Sequence, residues 1–147
     1  MQTLISQLLM EKGREVLTIA PTATVFEAVK LMDEKSVGSL VVLNARGRLA
    51  GIFVERDALR RVLLAGKSAM TEPVQAVMTC KVIVARPEMT IDQCLALMTE
   101  RRVRHLPVID QEQKLVGLVS MGDLVKFISA EQLAMIRNLE NYIEGVF

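Results

Sequence analysis

The chain has 147 residues, 51% of them apolar and 24% charged, and 18 Lys+Arg against 17 Asp+Glu leave a net charge of +1. That is one domain's worth of chain with ample core-forming side chains, which excludes a disordered polyampholyte, while the near-zero charge excludes a binder held to nucleic acid by phosphate neutralisation. The longest uncharged stretch, between Glu15 and Glu27, falls far short of the about 18 apolar residues of a membrane span, so a soluble protein with no membrane partner is expected.

The first ten residues, Met1 to Met10, carry no positive charge and no small-residue cleavage site, which argues against a secretory signal and for a cytoplasmic location. From Val16 onward the chain repeats itself. Shifted by 66 residues, Pro21–Asp57 aligns without a gap on Pro87–Asp123 with 11 of 37 positions identical, where ordinary residue usage gives roughly two. Pro21/Pro87, Thr24/Thr90, Gly51/Gly117 and Asp57/Asp123 are among the matched pairs. Two copies of one unit, each too small to be stable alone, are expected to share a core.

Each copy reads as β-α-β-β-α. A β-branched run (Val16 to Ile19, Val82 to Val84) stops at a proline, and Thr24 or Thr90 caps a helix. The apolar positions of that helix are Val25, Ala28, Val29, Leu31 and Met32, or Ile91, Leu95, Leu97 and Met98. Leu40 to Leu43 and Leu49 to Val54 flank a polar turn, as do Leu106 to Ile109 and Leu115 to Ser120, so each copy carries a hairpin. A second helix then starts near Glu55 or Met121. The expected organisation is a first repeat with an N-terminal helix over 1–66, a linker over 67–76, a second repeat over 77–130 and a separate C-terminal helix over 131–147. In that last helix Leu133, Ile136, Leu139 and Ile143 form an apolar stripe and Gly145 is the C-cap. Fifteen helical residues are marginal in water, so the stripe packs either on its own repeats or on a second chain.

Several residues are equipped for chemistry. Ser120-x-x-Asp123 stands where the second hairpin meets a helix. It reads either as a helix cap or as a sugar site, because a carboxylate held at a helix start can accept hydrogen bonds from two vicinal hydroxyls. Asp57 repeats the carboxylate, but position 54 is valine. Arg101-Arg102-Val103-Arg104-His105 is either a solvated helix end or a group of phosphate ligands, with alternation sending Arg102 and Arg104 to one side. Cys80 and Cys94, without a Cys-x-x-Cys and with a single His in the chain, read as two small buried hydrophobes. Gly66-Lys67-Ser68 ends like a phosphate-binding loop, yet Arg61 stands where that loop requires its first glycine. No nucleophile, metal cluster or general base pair is evident, so an enzyme is not expected.

The duplication, Gly-x-x-Ser-x-x-Asp over 117–123, Val103-Arg104-His105-Leu106-Pro107-Val108 and Val77-Met78-Thr79 together resemble a tandem pair of cystathionine-β-synthase (CBS) domains over about residues 5 to 130. The resemblance implies an α+β fold of two repeats related by a pseudo-two-fold axis, binding an adenosine-containing nucleotide between them. AMP, ADP or ATP are the implied ligands, with NAD(H) or S-adenosylmethionine as alternatives, and no cofactor is required. It implies Asp123 on the ribose, Ser120 near ribose and phosphate, Thr79 to Val82 framing the adenine, and Arg104 and His105 on the phosphates, with a reach toward the cleft that carries Asp57; Arg102 is the further phosphate candidate of the guanidinium run. Asp57 would serve a second, weaker cleft. A homodimer and an unidentified regulated protein are the implied partners. The competing reading is a dimerisation or protein-interaction module with no small-molecule ligand, in which both aspartates only cap helices.

Overall fold

The structure is a computed structural model that describes residues 2–144, with side chains described through residue 141. In chain order it contains α1 (Ile5–Lys12), β1 (Thr18–Ile19), α2 (Val25–Lys35), β2 (Ser39–Leu43), β3 (Leu49–Val54) and α3 (Glu55–Asp57). The last of these widens into a π-helical stretch, Ala58–Leu63, and α4 (Val74–Val77), α5 (Ile91–Arg101), β4 (His105–Ile109), β5 (Leu115–Ser120) and α6 (Met121–Glu144) follow. This is the mixed α+β architecture of two repeats expected from the duplication.

The repeats match in detail because their local chemistry matches. Thr24 Oγ1 accepts from Glu27 N and Thr90 Oγ1 from Gln93 N, both at 3.2 Å, so each first helix starts on a hydroxyl cap. Ser36 and Arg102 end those helices in the left-handed conformation. The hairpins β2–β3 and β4–β5 are antiparallel and carry the same irregularity, between Val42 and Leu43 and between Val108 and Ile109. Asn44 and Asp110 close the two turns by accepting from backbone N–H groups two and four residues on.

Three expectations are corrected. The first-strand run of the second repeat, Val82 to Val84, forms no ladder. Only Ala85 bridges to Val108, so the second sheet has two strands where the first has three. The C-terminal helix is not a separate element, because no residue between Met121 and Glu144 breaks the helix. Cys94 is buried and its thiol is pushed up to about 11 by desolvation, but Cys80 is exposed, lying in the irregular stretch after α4. Gly145 lies outside the described residues, and the side chain of Ile143 lies beyond the described side chains.

The buried apolar residues form two clusters, and each is completed by a segment from the other half. Ile5, Leu8 and Leu9 of α1 pack with Ile91, Cys94, Met98, Leu106 and Val119 of the second repeat. Val74 and Val77 of α4 pack with Val25, Ala28, Leu40 and Phe53 of the first. Backbone bonds tie each segment in place, Ile5 N to Met89 O at 2.8 Å and Val74 N to Ala23 O at 2.8 Å. Gly51 and Gly117 are required by this exchange. A Cβ at Gly51 would lie 2.8 Å from Thr79 O, and one at Gly117 would lie 2.7 Å from Leu9 Cδ2.

Candidate functional site

The turn from hairpin to helix builds the same device twice. In the second repeat Ser120 N donates to Asp123 Oδ2 at 2.9 Å and Asp123 N donates to Ser120 Oγ at 3.1 Å, so strand end and helix start hold each other. In the first, Val54 N donates to Asp57 Oδ2 at 3.0 Å, and valine offers no hydroxyl to return the bond. Both aspartates are thus helix-start groups, and their surroundings decide what else they can do.

Asp57 is closed in. Thr79 Oγ1 donates toward its carboxylate at 3.4 Å, the Arg61 guanidinium lies 3.8 Å away, and its side chain is 7% exposed. Arg61 in turn donates to the carbonyls of Val77 and Met78, fastening the chain that follows α4 beside this turn. Asp123 is more open, with its side chain 25% exposed, and its partner is Lys12, whose ammonium reaches Oδ2 at 2.5 Å and the Leu118 carbonyl at 2.5 Å. Burial alone would raise the Asp123 carboxyl. The hydrogen bonds and charge of Lys12, with the Ser120 backbone and side chain, outweigh it and hold the group below its ordinary value.

His105 opens β4 directly opposite Ser120 in the hairpin register, which places it at the Asp123 turn. Burial pulls its pKa down. Asp123 and Glu55 act against that, and Lys12 and Arg104 add to it. Arg104 is exposed, and its carbonyl accepts from Met121 N at 2.8 Å, the first residue of α6. Arg102 does not share a face with Arg104 by strand alternation, since it is the left-handed cap of α5 and the strand starts only at His105. Thr79 also departs from expectation. It pairs with Ile52 and bonds Asp57, so it belongs to the Asp57 turn and not to the Asp123 turn. Val82, three residues on, is half-buried in the irregular stretch before Ala85.

The structure therefore brings Asp123, Ser120, His105 and Arg104 together at one turn and puts Thr79 with Asp57 at the other. Lys12 and Arg61 are the charged neighbours that the repeat comparison missed. Arg61 was legible as an i,i+4 partner of Asp57. Lys12 lies before the aligned copies, in a helix of eight residues whose counterpart α4 has four, so a gapless comparison gives it no equivalent. Among the described residues no cluster of three or more His, Cys, Asp or Glu side chains could hold a metal ion, and no helix is long and apolar enough to cross a membrane.

Comparison with known proteins bears on the fold. The CBS domain model matches residues 5–64 and 74–130. The chain is 36% identical over 151 residues to the mitochondrial CBS domain-containing protein CBSX3 of Arabidopsis thaliana, covering 97% of this chain and 73% of that one. A solved CBS-domain protein from Burkholderia ambifaria MC40-6 superposes with a TM-score of 0.83 at 44% identity, over 88% of this chain and 96% of that one. The CBS pair of protein MJ0100, solved with 5′-methylthioadenosine and S-adenosylmethionine, shares the fold, with a TM-score of 0.78 at 22% identity over 89% of this chain and 99% of that one. With two matched repeats covering most of its length, each closed by a segment of the other, the chain belongs to the CBS-domain family as a tandem pair.

Proposed function

We propose that this CBS pair is a non-catalytic regulatory sensor that binds an adenosine-containing nucleotide at the Asp123 turn. The observation that carries the reading is the position of Asp123: it is fixed by Ser120 at the start of α6, partly open to solvent, and neighboured by Lys12, Arg104 and His105. A carboxylate so held can accept from the two ribose hydroxyls while cations meet phosphates. AMP, ADP and ATP fit that charge distribution. NAD(H) and S-adenosylmethionine are the other adenosyl compounds to test, the latter because the MJ0100 pair holds it. The Asp57 turn is the weaker site, since its carboxylate already serves Val54, Thr79 and Arg61.

A thermal-shift screen with these five compounds tests the reading, because a ligand at 100 times its Kd adds about 2.7 kcal/mol of stability. Calorimetry on any hit should give one dominant site per chain. The absence of any shift would turn the assignment to the second reading, a dimerisation or interaction module. That reading has its own support in apolar side chains left open on the helices: Phe26 and Val29 on α2, Leu59 and Leu63 beyond α3, and Leu133, Ile136 and Leu139 on α6. A homodimer covering these faces is compatible with both readings.

A further inference from the structure

We propose that Lys12 is a charged latch at the Asp123 turn, held by the carboxylate in this structure and transferred to a phosphate when a nucleotide binds. The cleft is thereby selective for nucleoside phosphates over uncharged nucleosides and sulfonium compounds. The proposal rests on the reading that this cleft takes an adenosine ligand, and adds to it the residue that sets the ligand's charge.

Lys12 is the last residue of α1, and Gly13, at φ 101°, turns the chain away immediately after it. Ile5, Leu8 and Leu9 anchor the helix in the second core, so the position of Lys12 is fixed by packing elsewhere on α1. Its side chain is 33% exposed and crosses from α1 to the Asp123 carboxylate and the Leu118 carbonyl. A ribose diol would need that carboxylate, and the ammonium stands on the oxygen that also accepts from Ser120 N. An incoming ribose must therefore displace or share the cation. A flexible four-carbon stem allows the ammonium to leave without moving the helix. With a phosphate ligand the ammonium exchanges one anionic partner for another, and Arg104 adds positive charge close enough to act on His105. With adenosine it loses its partner and gains none, and with a sulfonium it meets a like charge. The first cleft has no such device, because Asp57 is met by a hydroxyl and by a guanidinium tied to two carbonyls.

Calorimetry on the full chain with ATP, AMP, adenosine and S-adenosylmethionine tests this, in wild type, Lys12→Met, Lys12→Arg and Asp123→Ala. The latch predicts a crossed response: Lys12→Met weakens ATP about tenfold and tightens adenosine and S-adenosylmethionine about tenfold, while Lys12→Arg keeps the wild-type preference. Should Lys12→Met fold poorly, the same test is made on wild type by raising the salt concentration, which should weaken ATP and strengthen adenosine. Equal shifts for all ligands in Lys12→Met, or unchanged ATP affinity, would show a merely structural ion pair and overturn the latch while leaving the cleft assignment standing. Asp123→Ala with unaltered affinities, or no binding by either wild type or Lys12→Met, would overturn the cleft assignment and the latch together.

Discussion

Asp57 and Asp123 occupy corresponding turns of the two repeats, and the difference between them is one of neighbours. Asp57 is buried and accepts from Val54 N, with Thr79 and Arg61 beside it. Its removal leaves those donors without their acceptor, so Asp57→Ala should lower unfolding stability by about 1.5–3 kcal/mol, the range for hydrogen bonds to a charged group. Urea melts would measure it. Asp123→Ala should instead weaken nucleotide binding roughly ten- to 150-fold with a smaller effect on the urea midpoint, and unchanged calorimetric affinity would remove Asp123 from the site. His105 supplies a pH test. Its folded pKa is lowered, chiefly by burial, so the unfolded chain takes up a proton first as pH falls. The stability that His105 contributes is present above about pH 6.5, its ordinary value, and is lost as pH falls through the lowered folded value. The urea midpoint should decline between pH 7 and pH 5, and His105→Gln should flatten that decline.

At the level of elements, the exchange of α1 and α4 makes the core of each repeat depend on the other half of the chain. Each repeat leaves one side of its apolar layer open, and a short helix from the other half covers it. Ile5 is fully buried in the second repeat's core although it lies at the start of the first repeat, and Ile5→Ala should cost about 2–5 kcal/mol. The loss should fall on the second lobe. Amide exchange in β4 and β5 should accelerate more than in β2 and β3, and the reverse pattern would contradict the exchange. Gly51→Ala tests the crossing segment: its Cβ would meet the Thr79 carbonyl at 2.8 Å, a backbone atom tied into the Ile52 bridge, so a loss of about 1–3 kcal/mol by thermal melt is expected.

For the whole molecule, the protruding half of α6 is the conspicuous feature. Residues 131–141 are all exposed, with Leu133 at 48%, Ile136 at 51% and Leu139 at 57% on one stripe. Packing back onto the repeats is not what the structure has, beyond an approach of Thr3 Oγ1 to Glu131 at 3.5 Å. A second chain is the proposed cover. Deleting residues 131–147 should lower the apparent mass in light scattering at micromolar concentration or the thermal stability of the dimer, and an unaltered dimer would assign the interface to the faces of α2 and α3 instead.

The repeat itself was legible because ungapped duplication preserves local chemistry: Thr24 and Thr90 cap helices wherever they fall, and alternating apolar runs around Asn44 or Asp110 make hairpins in any context. Asp123 with Ser120 was legible for the same reason, their bonds being three residues apart. The association of Thr79 with Asp57, the union of Lys12 with Asp123 and the burial of Ile5 in the second lobe depend on contacts between distant parts of the chain. Helical continuity through Ala130 follows from the absence of a breaker, but the solvent exposure of the stripe beyond it does not. Sequence determined the pair of units and the turn that carries each carboxylate, since those rest on neighbours along the chain. Tertiary structure decided which charge meets which carboxylate, because the segments that supply Lys12 and Thr79 cross between the lobes to fill cores that neither repeat can close by itself.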